Sequence, residues 1–126
     1  MEIHKQIKNG PEAPAHARRL LDSLESDVGE PILTEACLVL SEIVADSYQR
    51  ARSHDGLPLH LIVRTYQDRL RLEVIDHRSF DIGAKTYEGM VSSMRRLALV
   101  NRVAADWGPS ADGGIWAEFD LSKPPD

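Results

Sequence analysis

Cys37 is the chain's only cysteine among 126 residues, which excludes an intrachain disulfide and fits a reducing compartment. Long apolar runs are also missing. No stretch approaches the roughly 20 residues of a membrane span, and the opening MEIHKQIKNG holds no apolar signal core. A cytoplasmic protein, with no membrane to bind, is the expectation. Positive charge is scarce too: 15 Lys and Arg stand against 20 Asp and Glu, and a net charge of −5 argues against direct nucleic-acid binding. Aromatic residues are 6% of the chain, and none interleaves with the short basic pairs Arg18–Arg19 and Arg95–Arg96. The histidines His4, His16, His54, His60 and His77 lack paired metal spacing, so no zinc site is expected. No serine stands in the G-x-S-x-G context of a hydrolase nucleophile. Repeats, low-complexity tracts and linkers are absent, which predicts a single domain over 1–126.

The longest helical pattern runs from Pro31 to Arg52, PILTEACLVLSEIVADSYQRAR. Leu33, Ala36, Cys37, Leu40, Ile43, Val44 and Ser47 recur at three- and four-residue steps and predict a core face. A second stripe of Glu35, Leu38, Val39, Glu42 and Asp46 mixes apolar residues with carboxylates, which predicts a helix covered on both sides. Glu42 and Asp46, four apart, project from one side and repel unless a cation or a donor lies between them. A solvated acidic edge is the plainer reading, at about 0.2–0.5 kcal/mol for such a pair.

Around this helix the chain predicts an edge strand over Glu2 to Lys8, a turn at Asn9-Gly10-Pro11, and a helix from Pro14 to about Ser26. Ala17, Leu20, Leu21 and Leu24 form that helix's apolar stripe. After the main helix and a turn at Ser53–Gly56, two alternating segments, Leu57 to Tyr66 and Arg69 to Asp76, predict an antiparallel hairpin. His77 to Gly89 reads as a loop of binding or lid length. Val91 to Ala105 predicts a helix with Val91, Met94, Leu97, Ala98 and Val103 on its apolar face, closed by Trp107-Gly108. Gly113-Gly114 turns into a last strand, Ile115 to Leu121, and the tail SKPPD stops the fold. The order β–α–α–β–β–α–β describes an α+β two-layer sandwich: a mixed, mainly antiparallel sheet with helices on one face.

SEIVADSYQRA resembles the S-E-L-V-x-N-A-x-x-H-A segment of the GHKL, or histidine-kinase-like, ATPases. In particular, it looks like that of the small anti-sigma serine/threonine kinases of bacterial partner switching. The segments ARRLLDSL, LTEACLVLSEIVADS, RLRLEVIDHRS, LALVNRVAADWG and GGIWAEFDL follow those kinases in order, so the resemblance covers most of the chain and implies their fold. It implies Glu42 as the general base, Asp46 at the position of the asparagine that holds magnesium, and Asp76 as the partner of the adenine amine. An aspartate can still ligate magnesium, which prefers hard oxygen ligands. The glycine of the family's D-x-G falls at Arg78. Where the family has G-x-G-L, whose backbone donors cradle phosphates, this chain has Met94-Arg95-Arg96-Leu97.

Two functions follow from the resemblance. In one the domain keeps ATP and magnesium and phosphorylates an anti-sigma antagonist, with Asp76 on adenine, Glu42 and Asp46 on proton transfer and magnesium, and Arg95 or Arg96 on phosphate. In the other the ATP site is weakened or lost, and the domain regulates by binding a sigma factor or an anti-sigma antagonist. The departures at the metal and phosphate positions favour the second. The relatives often dimerise, so a homodimer is among the arrangements implied. Without the resemblance, Asp76 is a polar strand end and Arg95 and Arg96 solvate a helix.

Overall fold

The computed structural model describes residues 1–24, 28–50, 58–76 and 87–121. Its elements, in chain order, are β1 (Glu2–Ile7), α1 (Ala13–Asp22), α2 (Glu30–Arg50), β2 (Leu59–Thr65), β3 (Arg69–Ile75), α3 (Tyr87–Val103), β4 (Asp106–Pro109) and β5 (Gly114–Asp120). The strands lie in the order β1-β2-β3-β5-β4, and every neighbouring pair is antiparallel. The expected α+β two-layer architecture is present, with a wholly antiparallel sheet in place of a mixed one.

Strand alternation selects the inner face. The register aligns Leu61 with Val74 and Val74 with Ile115, then Val63 with Leu72 and Leu72 with Ala117. All of these are buried, as are Leu59, Leu70 and Phe119 on the same face. Each large apolar side chain contributes about 1.5–3 kcal/mol on burial, so a one-residue slip that turned this face to water would be prohibitive. The helices cover it: α2 packs on β3 and β5, α1 on β1 and α3 on β4, with α2 flanked by the other two.

Hydrogen bonding alternates from side to side along the strands. Met1 and Thr65 exchange main-chain bonds, so in the β1–β2 register Ile3, Lys5 and Ile7 turn their N–H and C=O groups toward β2. Glu2, His4 and Gln6 turn theirs away from the sheet. Tyr66 N–H donates to Arg69 O at 2.8 Å, which assigns the remaining main-chain groups of β2 to β3.

The outer face is built from charge pairs around a few apolar residues. Arg64 Nε lies 3.1 Å from Glu2. Arg71 donates to Glu118 at 3.0 Å and stacks 4.5 Å over the Trp116 ring, while Arg69 lies 3.4 Å from Glu118 and 4.4 Å over Tyr66. Ser110 donates to Glu73.

Helix ends follow local chemistry. Pro14 stands in the first turn of α1, where a missing N–H is harmless. Gly29 takes φ 83° before α2, and its carbonyl accepts the Leu33 N–H at 3.0 Å. Packing on both flanks widens the buried arc of α2: Val39 and Asp46, expected on the second stripe, are buried, while Glu35 and Leu38 of that stripe are exposed and Cys37 is half-buried.

Four expectations need correction. The third helix starts at Tyr87 and ends at Val103, so Tyr87 to Gly89 belong to α3 and not to the expected loop. Its buried residues include Leu97 and Val100, whereas Met94 and Ala98 are exposed. Trp107-Gly108 does not close that helix but lies in β4, too short and too rich in glycine and proline to carry a strand period. α1 itself ends at Asp22, short of the expected Ser26, and the turn at Ser53–Gly56, Arg78 and the rest of the expected loop to residue 86, and the tail lie outside the described residues. Among the described residues no helix is long and apolar enough to cross a membrane.

Candidate functional site

Antiparallel pairing brings the end of β3, the start of β5 and the later turns of α2 to one end of the sheet. Asp76 follows β3, and its N–H donates to Gly113 O at 3.1 Å. Gly113 and Gly114 take φ 87° and 108°, angles open chiefly to glycine. A Cβ on Gly114 would stand 1.9 Å from the Val74 carbonyl oxygen. The glycine pair thus lets β5 start flush against β3 and fixes the backbone from which Asp76 projects.

The Asp76 side chain is fully buried, and the Ser47 hydroxyl of α2 donates to its Oδ2 at 3.0 Å. Asp46, the residue before Ser47, is 1% exposed. One turn earlier on α2, Glu42 keeps 33% of its side-chain surface and meets Arg96 of α3, whose Nε lies 3.9 Å from Glu42 Oε2. Arg96 Nη1 is buried and has no hydrogen-bond partner among the described residues. Arg95 and Met94 are exposed.

No known family model matches the chain, and no curated protein does.

Of the residues singled out from sequence, the fold buries Asp46 and Asp76 and joins Glu42 to Arg96. It leaves Arg95 outside. Met94 does not fill the space beside the carboxylates, since its side chain points to solvent at 54% exposure. Ser47 is the contributor that sequence reasoning placed among the core-face residues without a role. Its signal was a hydroxyl in an otherwise apolar stripe, directly after Asp46. A buried carboxylate with a fixed donor on one oxygen can orient a polar partner, whereas the ion pair one turn away can hold or neutralise charge. Among the described residues no group of three or more His, Cys, Asp or Glu is arranged to hold a metal.

Proposed function

We propose that this domain is a cytoplasmic regulatory protein of the anti-sigma kinase type that works by binding another protein, a sigma factor or an anti-sigma antagonist, with its ATP site weakened or lost. The observation that carries this reading is the pairing of Glu42 with Arg96. In an ATP-dependent relative the residue at the Glu42 position is the general base, and here it faces a guanidinium of its own chain. A general base has to reach its substrate's proton, and this carboxylate is turned to Arg96 instead. A nearly inaccessible Asp46 also fits a magnesium–triphosphate poorly.

One observation favours the active-kinase alternative. Arg96 Nη1 carries N–H groups with no acceptor among the described residues, and a phosphate oxygen would satisfy them.

Isothermal titration with magnesium and ATP separates the two readings. The expected dissociation constant is weaker than about 1 mM, or roughly −4 kcal/mol, and a low micromolar value, near −8 kcal/mol, would overturn the binding-module reading. Partner capture should persist without ATP, and Asp76→Ala should leave its affinity within about tenfold, or ~1.4 kcal/mol. Capture that requires both ATP and Asp76 would establish the kinase instead.

A further inference from the structure

We propose that the edge of β1, which no strand among the described residues covers, is where a partner docks, adding an extended segment of alternating apolar and acidic residues to the sheet as a further strand. This rests on the protein-binding reading above and gives it a surface. The two ends of the sheet differ in kind. At one end β4 has only four residues, stops at Pro109, which has no N–H, and commits the Trp107 N–H to Asp106 Oδ1 at 2.9 Å. Its indole is tied to Asn101 of α3 at 2.9 Å. That edge is blunted in the manner of edges that do not recruit strands.

At the other end β1 runs for six residues, and the N–H and C=O groups of Glu2, His4 and Gln6 point away from the sheet. An incoming strand finds there the hydrogen-bonding row on which strand addition depends. Beside this row, on the outer face, lies an open groove of about 330 Å³ lined by His4, Gln6, His60, Ile62, Ile75 and Asp112. A large apolar side chain opposite His4 or Gln6 would lie at its mouth. On the inner face the edge presents half-buried Ile3, exposed Lys5 and buried Ile7. A strand that turns its apolar side chains to the groove turns its acidic ones to this face, where one of them meets Lys5.

Lys5 also speaks against a second copy of this chain as the occupant. Antiparallel self-pairing that engages Gln6 among the outward-pointing groups can centre on Lys5 or on His4, whereas a centre at Ile3 engages only Glu2 and His4. The first sets the two Lys5 side chains directly opposite, and like charges there are destabilising. The second sets Lys5 against Ile3 and His4 against its own copy. An acidic, apolar strand of another protein meets neither mismatch.

The test uses the whole chain, labelled for amide NMR, and two capped eight-residue peptides, one alternating valine with glutamate and the other valine with lysine. The glutamate peptide should shift the Glu2, His4 and Gln6 amides and slow their exchange at least tenfold, and the lysine peptide should bind at least tenfold more weakly. Gln6→Pro removes an outward N–H and places its ring on that edge without touching the bonds to β2, so it should weaken binding at least tenfold. Methylating alternate backbone nitrogens of the glutamate peptide should do the same with the unaltered protein. Lys5→Glu should reverse the preference between the peptides. The proposal is overturned if the glutamate peptide at millimolar concentration leaves the three amides unchanged. Peptide binding indifferent to both Gln6→Pro and backbone methylation would overturn it too, as would a dimer of the chain alone that Gln6→Pro dissociates. Peptide failure alongside ATP-independent partner capture would remove this site and leave the protein-binding reading standing. Micromolar ATP binding with an intact peptide response would do the reverse.

Discussion

Ser47 and Asp76, 29 positions apart in sequence, meet through a single hydrogen bond of 3.0 Å with both side chains shut away from water. It ties the main helix to the end of the central strand. Removing the donor takes one hydrogen bond from a buried carboxylate, at about 1–3 kcal/mol. Ser47→Ala should therefore lower unfolding stability by that amount in urea titration, with an unchanged slope. A loss below about 0.5 kcal/mol would mean that the bond contributes little beyond what water offers.

Gly114 is the more severe case. Any side chain there meets the Val74 carbonyl at a forbidden 1.9 Å and must also hold φ at 108°. Gly114→Ala should destabilise the domain by at least about 3 kcal/mol, because the strain and the displaced strand start act together. Thermal unfolding monitored by circular dichroism gives the value. Gly29→Ala is the control: its φ is 83°, yet a Cβ there would meet nothing within 4 Å, so backbone strain alone remains.

Acid should loosen β1 before the rest of the sheet. Hydrogen bonds with His4 and then with Arg64 hold the Glu2 carboxyl below its ordinary value. A carboxyl whose folded pKa is depressed stabilises the fold above its unfolded value, near 4.3, and that contribution disappears as pH falls through the folded value. Amide exchange of Ile3 and Lys5 should accelerate on acidification below about pH 4.3, relative to the pH dependence of Leu72 and Ala117. Glu2→Gln should remove the difference.

Cys37 titrates in the opposite sense. Burial, then the nearby Asp22 carboxylate, push its thiol above the ordinary range against a smaller opposing effect of Arg18. The folded state thus favours the neutral thiol, a preference fully present below the unfolded pKa and lost as pH rises through the folded one. Iodoacetamide should alkylate Cys37 more slowly than it alkylates a free cysteine near pH 8.5, with the rate rising at higher pH. A rate equal to that of the unfolded protein would contradict the burial.

The parts of this molecule visible in the sequence are those where one period dominates. Leu70, Leu72 and Val74 alternate cleanly, and their strand ends one residue before the expected Asp76. The edge strand was equally legible from Ile3 and Ile7. What stayed hidden depends on partners distant in sequence. Asp46 is buried because helices flank α2 on two sides, which no single-helix pattern encodes. β4 forms because β5 offers it a partner, and Gly108 suits it because a Cβ there would stand 3.0 Å from the Trp116 ring. At the candidate site, Glu42, Asp46 and Asp76 could be singled out, but the Arg96 contact with Glu42 and the Ser47 contact with Asp76 are products of helix and strand packing.

The two tryptophans occupy opposite faces of the same two-strand ribbon, since Trp107 is paired with Ala117 and Gly108 with Trp116. The molecule therefore carries its own pair of optical reporters. Trp107, bonded to Asn101, senses how α3 sits on the sheet, while Trp116, stacked against Arg71, senses the exposed sheet surface. Iodide, drawn toward that guanidinium, should quench Trp116 more readily than caesium does. Replacing either indole by phenylalanine would leave a single emitter that distinguishes a ligand arriving on the sheet from a rearrangement among the helices.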